Sequence, residues 1–339
     1  AEMLAQRASL LASLGQMSEA AASAEQARQH LSRVTDAAFR NRVEISVLAT
    51  ESDLKRQSDP AAAAEAASQA IQVVQQRKDR LRIAQLSLRL AKANIARGRI
   101  EETRAALNQG LEAFNEERAA STDQRPISAL DESWQLFDAS IHLSLKQKDY
   151  ERAFALAEAA RARSASETRT FGATSLASVQ AALRPDEAIL ALNQFDDEVA
   201  VWLIRPGSVS VTMRPMSRKT SQQLVARQQH EIWSRAAAPV SSDLYNEIVR
   251  PLSQRLAGVS RLVVVPDDTF RDVSFAALYD PSRGRFLVEE LMVRMSPSPA
   301  AFAMAAAAPA RGTIAEPLIF NGPEATGAPP IAANYRNSE

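Results

Sequence analysis

The sequence predicts a helical array over residues 1–170, joined to a layered α/β domain over residues 176–339. Three observations predict it. Residues 1–168 are rich in Ala, Gln, Arg, Glu and Leu, and their apolar positions step by three and four. A short turn motif recurs along that half. After residue 186 the texture changes to short apolar runs, many of them β-branched, alternating with helical stretches.

In the first half, Leu81, Ala84, Leu88, Ala91 and Ile95 form one apolar stripe. Ile100, Thr103, Leu107, Leu111 and Phe114 form a second, and Leu130, Trp134, Phe137, Ile141 and Leu145 a third. Each stripe gives one helix one apolar face. The recurring motif is Leu14-Gly15-Gln16-Met17-Ser18-Glu19-Ala20. It returns as Arg97-Gly98-Arg99-Ile100-Glu101-Glu102-Thr103, and as Lys148-Asp149-Tyr150-Glu151-Arg152-Ala153 without the glycine. Gln57-Ser58-Asp59-Pro60-Ala61-Ala62-Ala63 is a degenerate copy. Gly15 and Gly98 can take the left-handed conformation that closes a helix. Asp59 can cap the next helix, with Pro60 at its first position. Ala20, Ala63, Thr103 and Ala153 are small enough for paired helices to approach closely.

This unit resembles the tetratricopeptide (TPR) repeat, although its copies lie 40 to 50 residues apart against a usual unit of about 34. The resemblance implies a curved stack of helix pairs, with a protein or peptide partner on its concave face. A plain helical bundle is the alternative. The polar run 115–128, with Pro126, reads as a loop. Ser128 opens the next helix, with Asp131 three residues on. Residues 151–169 read as one amphipathic junction helix carrying Arg161 and Arg163 near its carboxyl end. Residues 170–175, with Gly172, read as the boundary between the two parts.

In the second half, residues 187–193, 199–205 and 209–213 read as a β-meander, separated by Asp196-Asp197-Glu198 and Pro206-Gly207-Ser208. Residues 217–235, with Leu224, Val225 and Trp233, read as a helix. Residues 241–256 read as another, kinked at Pro251. Leu262 to Val265 is an uninterrupted apolar run with three valines, the pattern of a strand buried on both faces. Pro266 ends it, having no N–H to give to a ladder. Residues 286–288 and 291–295 suggest a hairpin around Glu289-Glu290. Residues 300–308 read as a short helix and 317–321 as a further buried strand.

Composition narrows the function. Forty Lys and Arg balance forty Asp and Glu, so the basic excess of a nucleic-acid binder is missing. There is no cysteine, which removes disulfides, Cys-ligated zinc and a cysteine nucleophile from these residues. His30, His142 and His230 lie far apart and lack metal-ligand spacing. They read as surface or packing histidines. No run approaches the roughly 18 apolar residues of a membrane span. The chain opens at Ala1 inside a helical pattern and stops without a closing element, so both ends read as cut from a longer polypeptide. The compartment stays open on that account, with the cytoplasm the expectation.

Asp267 and Asp268 follow a buried strand, where open α/β sheets place ligands. Paired acids there could hold Mg²⁺, or could simply cap the turn after Pro266. Gly-x-Ser-x-Gly is absent, and no phosphate-binding glycine loop accompanies the acids. No catalytic, cofactor-binding or metal residue is assigned, and no cofactor is expected.

A second resemblance rests on the order of several short motifs. Ala157-Glu158-Ala159-Ala160-Arg161-Ala162-Arg163-Ser164 comes first, then Leu183-Arg184-Pro185-Asp186-Glu187-Ala188-Ile189-Leu190 and Trp202. Leu244-Tyr245, Pro251-Leu252, Val264-Val265-Pro266-Asp267, Phe275-Ala276-Ala277-Leu278 and Ser296-Pro297-Ser298 follow. This order resembles the start of a CHAT domain, a caspase-like module that occurs with TPR repeats. The resemblance implies a cysteine peptidase of the caspase and separase clan, hydrolysing amides by thiolate attack with a histidine as base. Its His/Cys dyad would lie downstream of these residues, and no position here matches either member. Asp267, Phe275 and Leu278 would then shape the sheet. Two other readings stand beside it: a non-enzymatic adaptor with a degenerate protease-like module, and an acidic-site phosphotransfer or hydrolase domain using Asp267 and Asp268.

Overall fold

The structure, a computed structural model, describes residues 1–31, 33–75, 79–120, 128–164, 174–234 and 242–307. The expected strand at 317–321, the boundary around Gly172 and residues 121–127 of the polar loop lie outside the described residues.

The first half consists of antiparallel helix pairs. They are α1 (Glu2–Ser13) with α2 (Met17–Leu31), α3 (Ala37–Lys55) with α4 (Pro60–Gln75), α5 (Arg80–Ala96) with α6 (Ile100–Ala120), and α7 (Ser128–Lys146) with α8 (Tyr150–Ser164). The recurring turn has one conformation wherever the motif is kept. Gly15, Gly98 and Lys148 hold φ of 78°, 67° and 60°. The next residue in each copy donates back five positions: Gln16 N to Leu11 O, Arg99 N to Asn94 O and Asp149 N to Ser144 O. This bond satisfies a carbonyl that the helix end leaves unpaired. Lys148 keeps the left-handed residue without glycine, so that copy carries backbone strain the other two avoid.

The next helix then opens alike in each pair. Ala20, Ala63, Thr103 and Ala153 donate to the carbonyls of Gln16, Asp59, Arg99 and Asp149. All four small residues are at most 1% exposed. Asp59 accepts from Ala62 N at 3.0 Å and Asp149 from Arg152 N at 3.2 Å, as N-caps should. The apolar stripes are buried over most of their length. Ile95 and Ile100 are exceptions, because they flank the turn at the tip of their hairpin and stand exposed.

The second half centres on a five-stranded sheet of order β3-β2-β1-β4-β7. β1 (Glu187–Gln194), β2 (Glu198–Arg205) and β3 (Ser208–Pro215) form the antiparallel meander. β4 (Arg261–Val265) lies parallel to β1, and β7 (Met292–Met295) lies parallel to β4. Leu262 to Val265 are buried on both faces, as the apolar run requires. A short β5 (Tyr279–Asp280) pairs with β6 (Arg285–Phe286) away from the sheet.

The register sorts side chains onto two faces. Ile189, Ala191, Ala200, Trp202, Ile204, Val263 and Val265 join a hydrophobic cluster shared with α5, α6, α7 and α8. That cluster also takes Leu176 and Val179 of α9 (Leu176–Ala182) and Ala303 of α13 (Pro299–Ala307). Ala188, Leu190, Leu192, Val199, Val201, Leu203, Leu262 and Val264 face the opposite way. There they meet Val225 of α10 (Arg218–Ser234) and a layer containing Leu244, Ile248, Leu252, Phe270, Phe275 and Leu278. One apolar core therefore runs from the helix pairs onto the sheet.

Three local expectations meet different outcomes. Residues 115–120, read as part of a polar loop, instead carry α6 on to Ala120. Residues 242–256 are helical and irregular at the expected place. A single α turn, α11 (Ser242–Leu244), passes into a π turn at Tyr245–Val249 and a 3-10 stretch at Arg250–Leu256. Pro251 has no N–H for the i to i−4 ladder, so the α pattern cannot continue through it. The hairpin expected around Glu289-Glu290 does not form. Leu287–Glu290 is one helical turn, α12, opened by the Glu289 carboxylate accepting from Phe286 N at 2.6 Å. Phe286 pairs with Tyr279, and residues 292–295 join the main sheet.

Candidate functional site

The carboxyl ends of β1 and β4 and the foot of the helix pairs meet at a polar seam. Gln194, the last residue of β1, is its hub and is buried. Its Nε2 donates to the carbonyls of Phe195 at 2.6 Å, Met216 at 3.0 Å and Glu198 at 3.3 Å. Its Oε1 accepts from the Ser221 hydroxyl. Its backbone N donates to Asp267 Oδ2 at 3.2 Å, and its carbonyl accepts from Arg218 Nη2 at 3.2 Å. One side chain thus ties the β1–β2 turn to the start of α10.

Asp267 uses its other oxygen to accept from Thr269 N at 3.2 Å, capping the 3-10 turn at Asp268–Phe270. Asp268 turns outward to an exposed pair with Arg271. The two acids after the central strand therefore point apart, which disfavours a shared cation. Among the described residues no group of three or more His, Asp or Glu is placed to hold a metal ion. Of the two sequence readings, turn capping matches the geometry. Burial raises the Asp267 carboxyl above its ordinary pKa, while bonds from the Thr269 and Gln194 amides oppose the shift.

Asp138 of α7 faces this end of the sheet, 3.9 Å from Arg218. Its pKa is pushed up to about 7, first by poor solvation and then by the charge of Asp267, with Arg218 opposing and Asp196 adding. The side chain keeps 36% of its surface open, so water screens much of this cost. The sign is definite. Folded Asp138 retains a proton that an unfolded Asp releases near pH 4. Stability from this group is therefore highest near pH 4 and is lost as pH rises toward 7. Asp138→Asn is expected to be neutral at pH 4.5 and to stabilise by about 1–2 kcal/mol at pH 8. Thermal melts at the two pH values check this, and equal effects at both would refute it.

Beside this cluster His142 of α7 sits 2.8 Å from Glu198 Oε2, with its ring 4.9 Å from that of Phe195. Lys146 reaches the same carboxylate at 3.0 Å. The hydrogen bond from His142 holds Glu198 below the ordinary carboxylate range, and Lys146 adds to it. Its partners among the described residues, Glu198 and Phe195, make this histidine a packing group that bridges α7 to β2. His30 and His230 are exposed on α2 and α10. Trp134 is half-buried against the shared core. The side chain of Trp233 lies outside the described residues.

A second tether explains the Ala157–Ser164 motif physically. Glu158 and Arg161 pair at 3.1 Å, largely buried. Arg161 Nη2 donates to Leu192 O at 3.0 Å, and Glu158 Oε2 accepts from Ala300 N at 2.8 Å. Ser298 Oγ accepts from Ala301 N at 3.0 Å. So α8 holds β1 and caps α13 together with Ser298. At the opposite end of the sheet, Asp186 takes the Ser260 hydroxyl and Arg261 Nη1 at 2.9 Å, fastening β1 to β4. Tyr245 donates to Asp280 at 2.8 Å and anchors the β5–β6 pair.

Spacing in the sequence located Asp267. It gave no signal for Gln194, Asp138, His142 or Glu198, which converge only when α7 lies on the sheet. Leu244, Leu252, Phe275 and Leu278 are all buried in the second layer. None of them faces a cleft as a reacting group would.

Residues 238–334 match the family model of the CHAT domain, a caspase-like, peptidase-related module. No curated protein and no solved structure matches the chain.

Proposed function

We propose that this chain is the partner-binding and scaffolding portion of a TPR–CHAT cysteine peptidase, divided near residues 170–176. The observation that carries the reading is the family match over residues 238–334, joined through one apolar core to a stack of helix pairs. The first helices of those pairs supply the partner surface. Cavities of about 260 and 230 Å³ open there, edged by Gln6, Arg42, Ser46, Arg82, Gln85 and Arg89. The arginines there are paired with acids, Arg42 with Glu2, Arg82 with Asp79 and Arg89 with Asp53, so the edges carry no free basic excess for a nucleic acid and suit a protein or peptide segment.

The chain has no cysteine, so the thiolate of such a peptidase must come from outside these 339 residues. The purified chain is therefore expected to cleave no member of a fluorogenic peptide library. Cleavage that survives a mock-purified control would overturn the proposal. The missing cysteine also favours a second reading, a non-enzymatic adaptor with a degenerate protease-like module. A cysteine-directed covalent probe applied to a chain continued past Glu339 separates the two: labelling supports the peptidase, and no labelling supports the adaptor.

A further inference from the structure

Three of the helix pairs share the left-handed turn, so their positions can be matched by counting from Gly15, Gly98 and Lys148. Met3 and Leu10 of α1 then correspond to Leu86 and Ala93 of α5, and to Leu136 and Leu143 of α7. The matched residues do the same work in both later pairs. Leu86 is 2% exposed and packs with Ile45, Leu48, Ala66, Ala70 and Ile71 of the pair before it. Ala93 is 0% exposed against Ala63 and Ala64 of α4. Leu136 is 1% exposed and lies over Gly110 of α6, where a Cβ would come within 2.9 Å of it. Leu143 packs against the same core. This face is where each pair stacks on its predecessor.

In the first pair the same two positions are apolar and bare. Met3 is 83% exposed and Leu10 is 60% exposed. Met17 is a useful contrast: it is half-exposed, but so is its match Ile100, so it does not belong to the stacking face. An end unit of a stacked array normally presents polar residues outward, since nothing covers it.

We propose that the Met3–Leu10 face of α1 is a stacking interface, continuous with those between the later pairs. Its occupant is an antiparallel helical hairpin whose second helix presents small residues. The pattern at Leu136 and Leu143 sets the fit. Met3 matches Leu136, which lies in the recess over Gly110, and Leu10 matches Leu143; the face that α4 offers at Ala63 and Ala64 receives only the small Ala93 at that second position. A second copy cannot offer α8 for the purpose, because α8 is already packed against the sheet.

The test is to place a duplicate of residues 79–127, the α5–α6 hairpin and its connection, ahead of Ala1 of the full chain. The fused hairpin is expected to raise the melting temperature by at least about 3 °C. Met3→Glu with Leu10→Glu should abolish that gain. The same double substitution in the unfused chain should leave the melting temperature within about 1 °C, because both side chains are exposed there. A fused chain that melts like the parent overturns the proposal, as does a gain that survives the double substitution. Sedimentation supplies the remaining arm. A dimer of the unfused chain that dissociates on the double substitution would show that a second copy covers this face, and would also overturn it.

Discussion

Trp202→Ala is expected to destabilise the chain by about 3–5 kcal/mol and to lower its melting temperature by about 10 °C. Trp202 is among the largest fully buried side chains, on the sheet face that meets the helix pairs. It sits opposite Ala191 of β1 and Val211 of β3, so its ring fills the middle of that face. Tyr150 of α8 meets it edge to face, with ring centroids 6.4 Å apart. Its Nε1 donates to Asn193 Oδ1 at 2.9 Å. Truncation therefore opens a cavity between sheet and helices and leaves a buried carbonyl oxygen without its donor. Total stability of a domain is commonly about 5–15 kcal/mol, so this loss is a large share of it. Trp202→Phe separates the two contributions. It keeps most of the ring, removes the hydrogen bond and is expected to cost roughly half as much. Chemical denaturation of both variants checks the ordering. A loss below about 1 kcal/mol for the alanine variant would mean that the helix pairs do not rest on this face.

Elements defined by local signals were legible in the sequence. The turn at Gly15 and Gly98, the cap at Asp59 and the doubly buried run Leu262 to Val265 need only neighbouring residues to specify them. The meander was legible for the same reason, because its turns are polar and its strands alternate or run apolar. The chain after Pro266 was less so. Phe286-Leu287-Val288 has strand composition, but a single carboxylate three residues on caps it into a helical turn. Met292–Met295 then pairs with residues about thirty positions earlier, which no local pattern reports. The seam was the least legible part. It depends on α7 and α8 lying on the sheet, and a periodicity that marks an apolar face does not say what that face touches. Nor did spacing show that Asp267 and Asp268, adjacent in sequence, would diverge. Their divergence follows from Pro266, after which the chain turns at once into a 3-10 segment.

Gln194→Leu is expected to cost about 3–4 kcal/mol although it replaces a polar side chain in the interior with an apolar one of similar size. The usual gain from burying an apolar group fails here because the partners remain. The carbonyls of Phe195 and Met216 lose their shared donor, and the Ser221 hydroxyl loses its acceptor, all in the interior. Leaving each such group unsatisfied costs about 1–3 kcal/mol. Solvent can reach part of the β1–β2 turn and recover some of that cost. The network predicts non-additivity. Ser221→Ala alone should cost about 1 kcal/mol, and adding it to Gln194→Leu should cost almost nothing further, since the hydroxyl is already stranded. The backbone bonds of residue 194 to Asp267 and Arg218 persist in every variant, so Asp138 should keep its elevated proton affinity. A double-mutant cycle by denaturation, with melts at pH 4.5 and pH 8, tests both points. Additive losses would show that Gln194 and Ser221 act independently. Loss of the pH dependence in Gln194→Leu would show that the side chain, rather than the backbone, holds the acidic end of the seam together.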